Sequence, residues 1–519
     1  MATIERTRNA TRNIIFGVIL KIYNIVIPFI MRTAMIYLMG VQYLGLSSLF
    51  SSVLQVLNLA ELGVGSAMVF SMYKPIAEDD ETTICALMRL YRIYYRIIGF
   101  VIAVAGCALT PMIPKLIKSD VPAEINIYVL YLLHLGATVL SYWLFAYKNS
   151  ILHAHQRNDI SSKVTMVTST IQYAAQILVL WITKNYYLYV IAAMLTQVLT
   201  NVATAICADR LYPKFKPKGK LAPAEVGKIN RKIRDLFTAK LGGIVVNSAD
   251  TIVISAFLGL TALAVYQNYY FVLSSVIGFV TILFSSVTAG IGNSLIVETK
   301  EKNINDLNVF TFIICWIAGF CACCFLTMFQ PFVEIWVGTE LMLPYSAVIC
   351  FVIYFFVFEV NQLLNTYKDA AGIWHEDRFR PLVTAVANLG MNLVMVQFWG
   401  LYGIILSTVL SMVCVGMPWL FHNLFTTVFD MKYLKPYLKK LAVYICICLT
   451  ACMITTVICT AIHVTPWVAL IVNFGICCIL PNALFLVVYY KTPEFKRALY
   501  LLNNMLHGRL DKLIEKVGK

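Results

Sequence analysis

The chain has 519 residues, 60% of them hydrophobic and 13% charged, with a mean hydropathy of +0.77. So apolar a composition excludes a soluble globular protein and points to a polytopic membrane protein. The net charge of +15 does not indicate nucleic acid, because the basic residues sit in short loops between apolar stretches, where they set topology.

In chain order, about fourteen stretches are long enough to cross a bilayer, at roughly 13–39, 43–72, 92–113, 125–148, 164–183, 187–208, 236–258, 262–296, 307–329, 344–367, 381–399, 401–425, 440–462 and 467–490. The first carries a polar stripe. Asn13, Gly17, Lys21, Asn24, Pro28 and Arg32 recur at steps of three and four, the spacing that stacks residues on one helix face. A cation facing lipid at that depth costs about 2.5–3.5 kcal/mol on insertion scales, so the stripe must face protein or water. Two readings are open: a pair of structural cations, or a basic water-filled cavity for an anionic cargo.

The loops alternate in charge. Arg6, Arg8 and Arg12, then Lys74 with Arg89, Arg92 and Arg96, then Lys148, Arg157 and Lys163 fall on one side, and only Lys115, Lys118 and Lys184 on the other. This asymmetry places both termini in the cytoplasm. Tyr91, Tyr94, Tyr95, Tyr186, Tyr187 and Tyr189 fit an interfacial aromatic belt. The outer loops are too short to hold a catalytic domain, so no enzyme and no catalytic residue is expected. Fifteen cysteines lie mostly inside apolar spans with no metal spacing, so no metal site is expected either.

A basic segment, 209–235, divides the chain. After Pro223, the residues Val226, Ile229, Ile233 and Leu236 recur at helical spacing between basic residues, as in an amphipathic helix lying on a membrane face. Six spans precede the segment, the next six echo them, and two more follow outside the repeat. MGVQYLGLSS at 39–48 lines up with LGLTALAVYQ at 258–267, each where the first helix of a half turns into the second. The predicted fold class is therefore all-α: two six-helix bundles, 1–208 and 236–426, in parallel pseudo-twofold repeat, an extra helix pair at 427–490, and a basic tail at 491–519. A ligand site is expected between such repeats.

Polar stripes recur on helices of both halves, which favours the cavity. Ser51, Gln55, Asn58 and Glu61 share a face of the second span; Lys240, Asn247 and Asp250 share one on the seventh; Glu359, Gln362 and Thr366 share one on the tenth. Lys21, Arg32, Gln55, Asn58, Lys240 and Asn247 are the candidate cargo-binding residues. Glu61, Asp250 and Glu359 are candidates for ion coupling or gating, since carboxylates at membrane depth need a proton or a cation. Pairing of Arg32 with Asp250 or with Glu61 is one expectation. No cofactor is expected, and coupling to a H+ or Na+ gradient is left open.

The segments GVQYLGLSSLF at 40–50, LAELGVGSA at 59–67, YKPI at 73–76, SYWLFAYKNSILHAHQ at 141–156 and ADTIVISAFLGLTALAVYQNYY at 249–270 resemble the Wzx-type polysaccharide flippases of the multidrug/oligosaccharidyl-lipid/polysaccharide exporter superfamily. The resemblance is diffuse and covers the whole chain. It implies alternating access and an undecaprenyl-diphosphate-linked oligosaccharide moved from the inner to the outer leaflet of a bacterial cell membrane. Membrane lipids, and the glycosyltransferases and polymerase of the same pathway, are the implied partners. A lipid II flippase and a drug or cation antiporter share the implied architecture and remain as alternatives.

Overall fold

Inside a bilayer every backbone amide must be paired within the protein. This chain meets that demand with helix alone, and no strand occurs among the described residues. The computed structural model describes residues 6–118 and 121–505; the side chains of 6–15, 235, 238–240, 247, 289, 504 and 505 also lie outside the description. The helices are α1 (Arg6–Leu38), α2 (Val41–Leu57), α3 (Val64–Ala77), α4 (Glu81–Leu109), α5 (Ile127–Trp143), α6 (Asn149–Ala154), α7 (Asn158–Thr183), α8 (Tyr186–Leu211), α9 (Pro223–Leu258), α10 (Leu260–Val297), α11 (Lys300–Val337), α12 (Tyr345–Ala371), α13 (Arg380–Ser411), α14 (Met417–Thr427), α15 (Leu434–Thr460), α16 (Pro466–Tyr489) and α17 (Pro493–Met505).

Twelve helical stretches among the described residues are long and apolar enough to cross a membrane, and α5 with α6, bent by 47°, makes a thirteenth. One of the twelve, Arg380–Thr427, is itself two spans. Gly400 has φ 53° and ψ −128°, and Asn388 Nδ2 donates to Thr408 Oγ1 at 3.0 Å. In one straight helix those residues would stand about 30 Å apart, so α13 folds back at Gly400 as a hairpin. Counting the hairpin as two adds one more to the thirteen, so the expectation of about fourteen spans agrees with the structure.

The chain divides into two compact units, Met1–Ala264 and Val265–Lys519. In the first, α7 packs against α1 and α8, α4 against α5, and α2 against α9. The turns at the ends of α1 and α9 share one backbone shape. Gly40 has φ 113° and ψ 161°, and Gly259 has φ 94° and ψ 174°, a region essentially reserved for glycine. These two glycines are the pair that the sequence repeat aligns. Close approach follows at Gly45, where a Cβ would lie 2.4 Å from the carbonyl oxygen of Leu260.

Two departures from the sequence reading lie in this unit. The second span is broken: a 3₁₀ turn at Asn58–Glu61 and Gly63, with φ 85°, separate α2 from α3. The basic segment does not form a separate helix on a membrane face, because its helical part is the start of the 36-residue α9. Its apolar seam packs on protein: Ile229 is buried, and Gly63 meets Leu236 and Ile233 so closely that a Cβ there would lie 2.7 Å from Leu236 Cβ. Polar contacts strap the segment to α4. Lys214 pairs with Glu81 at 2.9 Å, Arg89 Nη1 donates to the Gly219 carbonyl at 2.9 Å, and Tyr94 Oη donates to Asn230 at 2.6 Å.

In the second unit α11 is the central post, with α12, α15, α16 and α17 around it. The extra pair α15 and α16 turns one face to α11, through Cys448, Ala451, Cys452 and Cys477, while Leu449, Met453, Val457, Ile471 and Ile479 stay exposed. All fifteen cysteines are free, and those at this seam pack as small hydrophobes, with Cys323 and Cys452 Sγ atoms 3.6 Å apart. Long α10 is one uninterrupted helix of 38 residues, well beyond the roughly 20 a span needs. The start of the tail forms α17, held to α11 by Arg497 and Asp306 at 2.8 Å; residues 506–519 lie outside the described residues.

Candidate functional site

The first helix of the first unit exposes two opposite faces. Val18, Ile19, Ile22, Val26 and Ile30 form an exposed apolar face. On the other side Gly17 and Asn24 are exposed and Lys21 is half-buried, while Arg32 is accessible in part with its Nη1 buried. Tyr23 and Phe16, between these faces, meet α7: Tyr23 Oη is 2.9 Å from Thr170 Oγ1, and Lys163 Nζ stands 4.2 Å from the Phe16 ring centre. Lys21 makes no ion pair among the described residues.

Arg32 has the phenol of Tyr189, on α8, as an electrostatic neighbour. That ring stacks on Tyr186 at 5.6 Å, and Tyr186 meets Tyr43 edge-on at 5.0 Å. Tyr186 is fully enclosed. The interfacial belt read from sequence is corrected in part: Tyr91, Tyr95 and Tyr186 are buried, because each hydroxyl or ring has a partner within the bundle.

The second-span stripe meets the seventh span at Gln55, through Ser248, which lies outside the predicted seventh-span stripe. Ser248 on α9 lies 3.4 Å from Gln55 Oε1 on α2 as a hydrogen-bond donor, beside buried Asp250 and Thr251. Asn58 caps the end of α2, with its Oδ1 buried and without a hydrogen-bond partner among the described residues. The side chains of Lys240 and Asn247 lie outside the described residues.

The three candidate carboxylates stand apart. Arg32 lies six residues from the end of α1 and Asp250 eight from the end of α9, so both are about 9–12 Å from the glycine turns. Glu61 lies twenty residues beyond the start of α2, about 30 Å from its turn. The Arg32–Glu61 pairing considered from sequence therefore fails on distance. Glu61 instead accepts from Tyr95 Oη at 3.0 Å, and Tyr95 accepts from Tyr91 Oη at 2.6 Å. The sequence reading misses this relay, although two tyrosines four apart facing an acidic helix break are a readable signal. Glu359, in the second unit, is 1% exposed, and neither carboxylate oxygen has a hydrogen-bond partner among the described residues. Its electrostatic neighbour is Cys321 of α11.

Among the described residues no group of three or more His, Cys, Asp or Glu is placed to hold a metal ion. The described residues thus combine many membrane-length helices with polar side chains and buried carboxylates within them.

Solved structures carry the same fold. The chain superposes on the lipid II flippase MurJ in its inward closed conformation with a TM-score of 0.64, at 12% identity, over 92% of this chain and 99% of that one. It superposes on an inward-facing multidrug resistance MATE family transporter of the MOP superfamily with a TM-score of 0.61, at 13% identity, over 79% of this chain and 96% of that one. For a mutant of the Vibrio cholerae MATE transporter VcmN the TM-score is 0.54, at 13% identity, over 80% of this chain and 96% of that one. No family model and no curated protein sequence matches the chain. The fold is thus the one seen in these solved flippase and MATE transporter structures.

Proposed function

We propose that the protein is a flippase for an undecaprenyl-diphosphate-linked oligosaccharide, moved from the inner to the outer leaflet of a bacterial cell membrane by alternating access, with both termini cytoplasmic. The observation that carries this reading is the polar face of α1, where Gly17 and Asn24 are exposed and Lys21 is half-buried without an ion pair among the described residues. A diphosphate carries about two negative charges, and one cation at 4 Å contributes roughly 4 kcal/mol of attraction near a protein surface before desolvation. Lys21 and Arg32 receive the diphosphate, together with Lys240; Gln55, Asn58 and Asn247 meet the sugar hydroxyls. The lipid tail stays in the bilayer. A drug-cation antiporter is disfavoured by those cations. The working partners are the glycosyltransferases and polymerase that make and use the cargo.

Glu61, Asp250 and Glu359 are the groups through which a H+ or Na+ gradient drives the cycle. Loss of proton or sodium dependence in Glu359→Gln, Asp250→Asn or Glu61→Gln supports this role, and unchanged dependence in all three removes it.

The extent of the likeness to MurJ, over 92% of this chain, favours one second reading, a lipid II flippase. Rescue separates the two. Expression in cells depleted of their lipid II flippase, and in cells lacking their surface-polysaccharide flippase, should restore export only in the second. Growth rescue in the first alone would replace the surface-polysaccharide reading.

A further inference from the structure

We propose that a cavity inside the first unit, at the end that carries the basic segment, is a binding pocket for an uncharged saccharide. The proposal deepens the flippase reading and rests on it for the source of the sugar. The cavity has a volume of about 530 Å³ and lies between α3, α4, α6 and the start of α7, within the roughly 300–1,000 Å³ of small-ligand sites.

Its lining decides the ligand class. No Lys, Arg, Asp or Glu lines it, His153 is the basic side chain of its lining, and Lys232 reaches only the rim at Phe70, so the two charges of a diphosphate find no matching pair of cations inside. Nor does it suit hydrocarbon, because desolvating hydroxyls and amides against an apolar ligand is unfavourable. What remains is a neutral, polyhydroxylated molecule.

The polar groups are already oriented. Tyr91 Oη gives its proton to Tyr95, which gives its own to Glu61, so the Tyr91 oxygen faces the cavity as an acceptor. Ser150 Oγ donates to the Tyr147 carbonyl at 2.6 Å and is likewise left to accept. Asn149 Oδ1 takes a hydrogen bond from Ser161 at 2.7 Å, which leaves its amide N–H groups to donate. At the rim Phe70 and Tyr73 meet edge-on at 6.1 Å and are 59% and 46% exposed. Lys232 covers one face of Phe70, its Nζ 4.2 Å from the ring centre, and Tyr73 is the ring left to take the apolar face of a pyranose. Acceptors, donors and an aromatic plate around one neutral space are what a sugar ring requires. Gly65 permits this geometry: a Cβ there would lie 3.0 Å from Tyr91 Oη.

The test is hydrogen–deuterium exchange on the full-length protein in lipid nanodiscs, with chitobiose, maltose and inorganic pyrophosphate as separate probes at millimolar concentration. Chitobiose or maltose should slow exchange in peptides covering 64–76 and 146–158, and pyrophosphate should not. Ser66→Trp, which fills the space, and Asn149→Ala, which removes the donor, should each weaken the effect at least about tenfold, a change of roughly 1.4 kcal/mol. Tyr73→Ala serves if either variant fails to fold. Arg32→Ala should keep the protection, so failure of the diphosphate site and failure of this pocket read out separately. No protection by either disaccharide, protection that survives Ser66→Trp in a folded protein, or protection of the same peptides by pyrophosphate would overturn the proposal.

Discussion

Glu61 in the first unit and Glu359 in the second are the same residue type placed in opposite ways. Glu61 takes a hydrogen bond from Tyr95, behind which Tyr91 opens on a cavity. Glu359 is sealed against α11, and neither oxygen has a hydrogen-bond partner among the described residues. A hydrogen-bonded carboxylate in a polar wall contributes to the stability of the fold. A carboxylate buried with no partner is tolerable only when a proton or cation neutralises it. Under the proposed coupling role, the difference predicts that removing Glu61 costs stability as well as coupling, whereas removing Glu359 costs coupling alone.

The largest effect expected from breaking this comparison lies on the cationic face of the first unit. Arg32→Ala should abolish polysaccharide export at normal protein levels in the membrane, scored by complementation. Next comes Glu359→Gln, which should keep the fold and its melting temperature and lose the dependence of transport on an ion gradient. A melting temperature that falls as far as in a core-cavity variant would show that Glu359 has a structural partner. Third, Glu61→Leu should destabilise the protein by about 1–3 kcal/mol, the cost of leaving a buried donor unpaired, because Tyr95 loses its acceptor. Tyr95→Phe in the same background should recover part of that loss, measured as a double-mutant cycle in thermal unfolding.

The smallest effect is at the tip of the first unit. Asp80 caps α4 by accepting from the Thr83 amide at 3.0 Å and from Thr82 at 2.6 Å. The Thr82 and Thr83 hydrogen bonds hold its carboxyl down at about 2, from an ordinary 3.8. A depressed carboxyl stabilises the fold above its unfolded pKa and loses that contribution as pH falls through the folded one. Asp80→Ala should therefore lower the melting temperature slightly at neutral pH, and the gap from wild type should shrink between about pH 4 and pH 2.

The span count was legible because 3.6-residue periodicity over about twenty apolar residues is a strong signal. The boundary between 381–399 and 401–425 was legible too, since Gly400 interrupts an otherwise apolar run, and the fold turns there. The polar stripe of α1 was readable for the same reason, polar and helix-weakening residues recurring at steps of three and four.

Partners were not legible. A boundary tyrosine reads the same whether it meets headgroups or, like Tyr95, a carboxylate on another helix. The seam Val226–Leu236 is apolar on one side under either outcome, and only the close approach at Gly63 shows that it packs on protein. The break at Asn58–Gly63 hides within a span whose polar residues also fit a continuous helical stripe, because glycine at positive φ differs from glycine in a helix only through tertiary contacts.

The most direct measurement is translocation of a defined undecaprenyl-diphosphate-linked disaccharide by the purified protein in proteoliposomes. Wild type and Arg32→Lys should translocate it, the latter more slowly because a point charge replaces a bidentate fork, and Arg32→Ala should not. Translocation by Arg32→Ala at the wild-type rate would contradict the account.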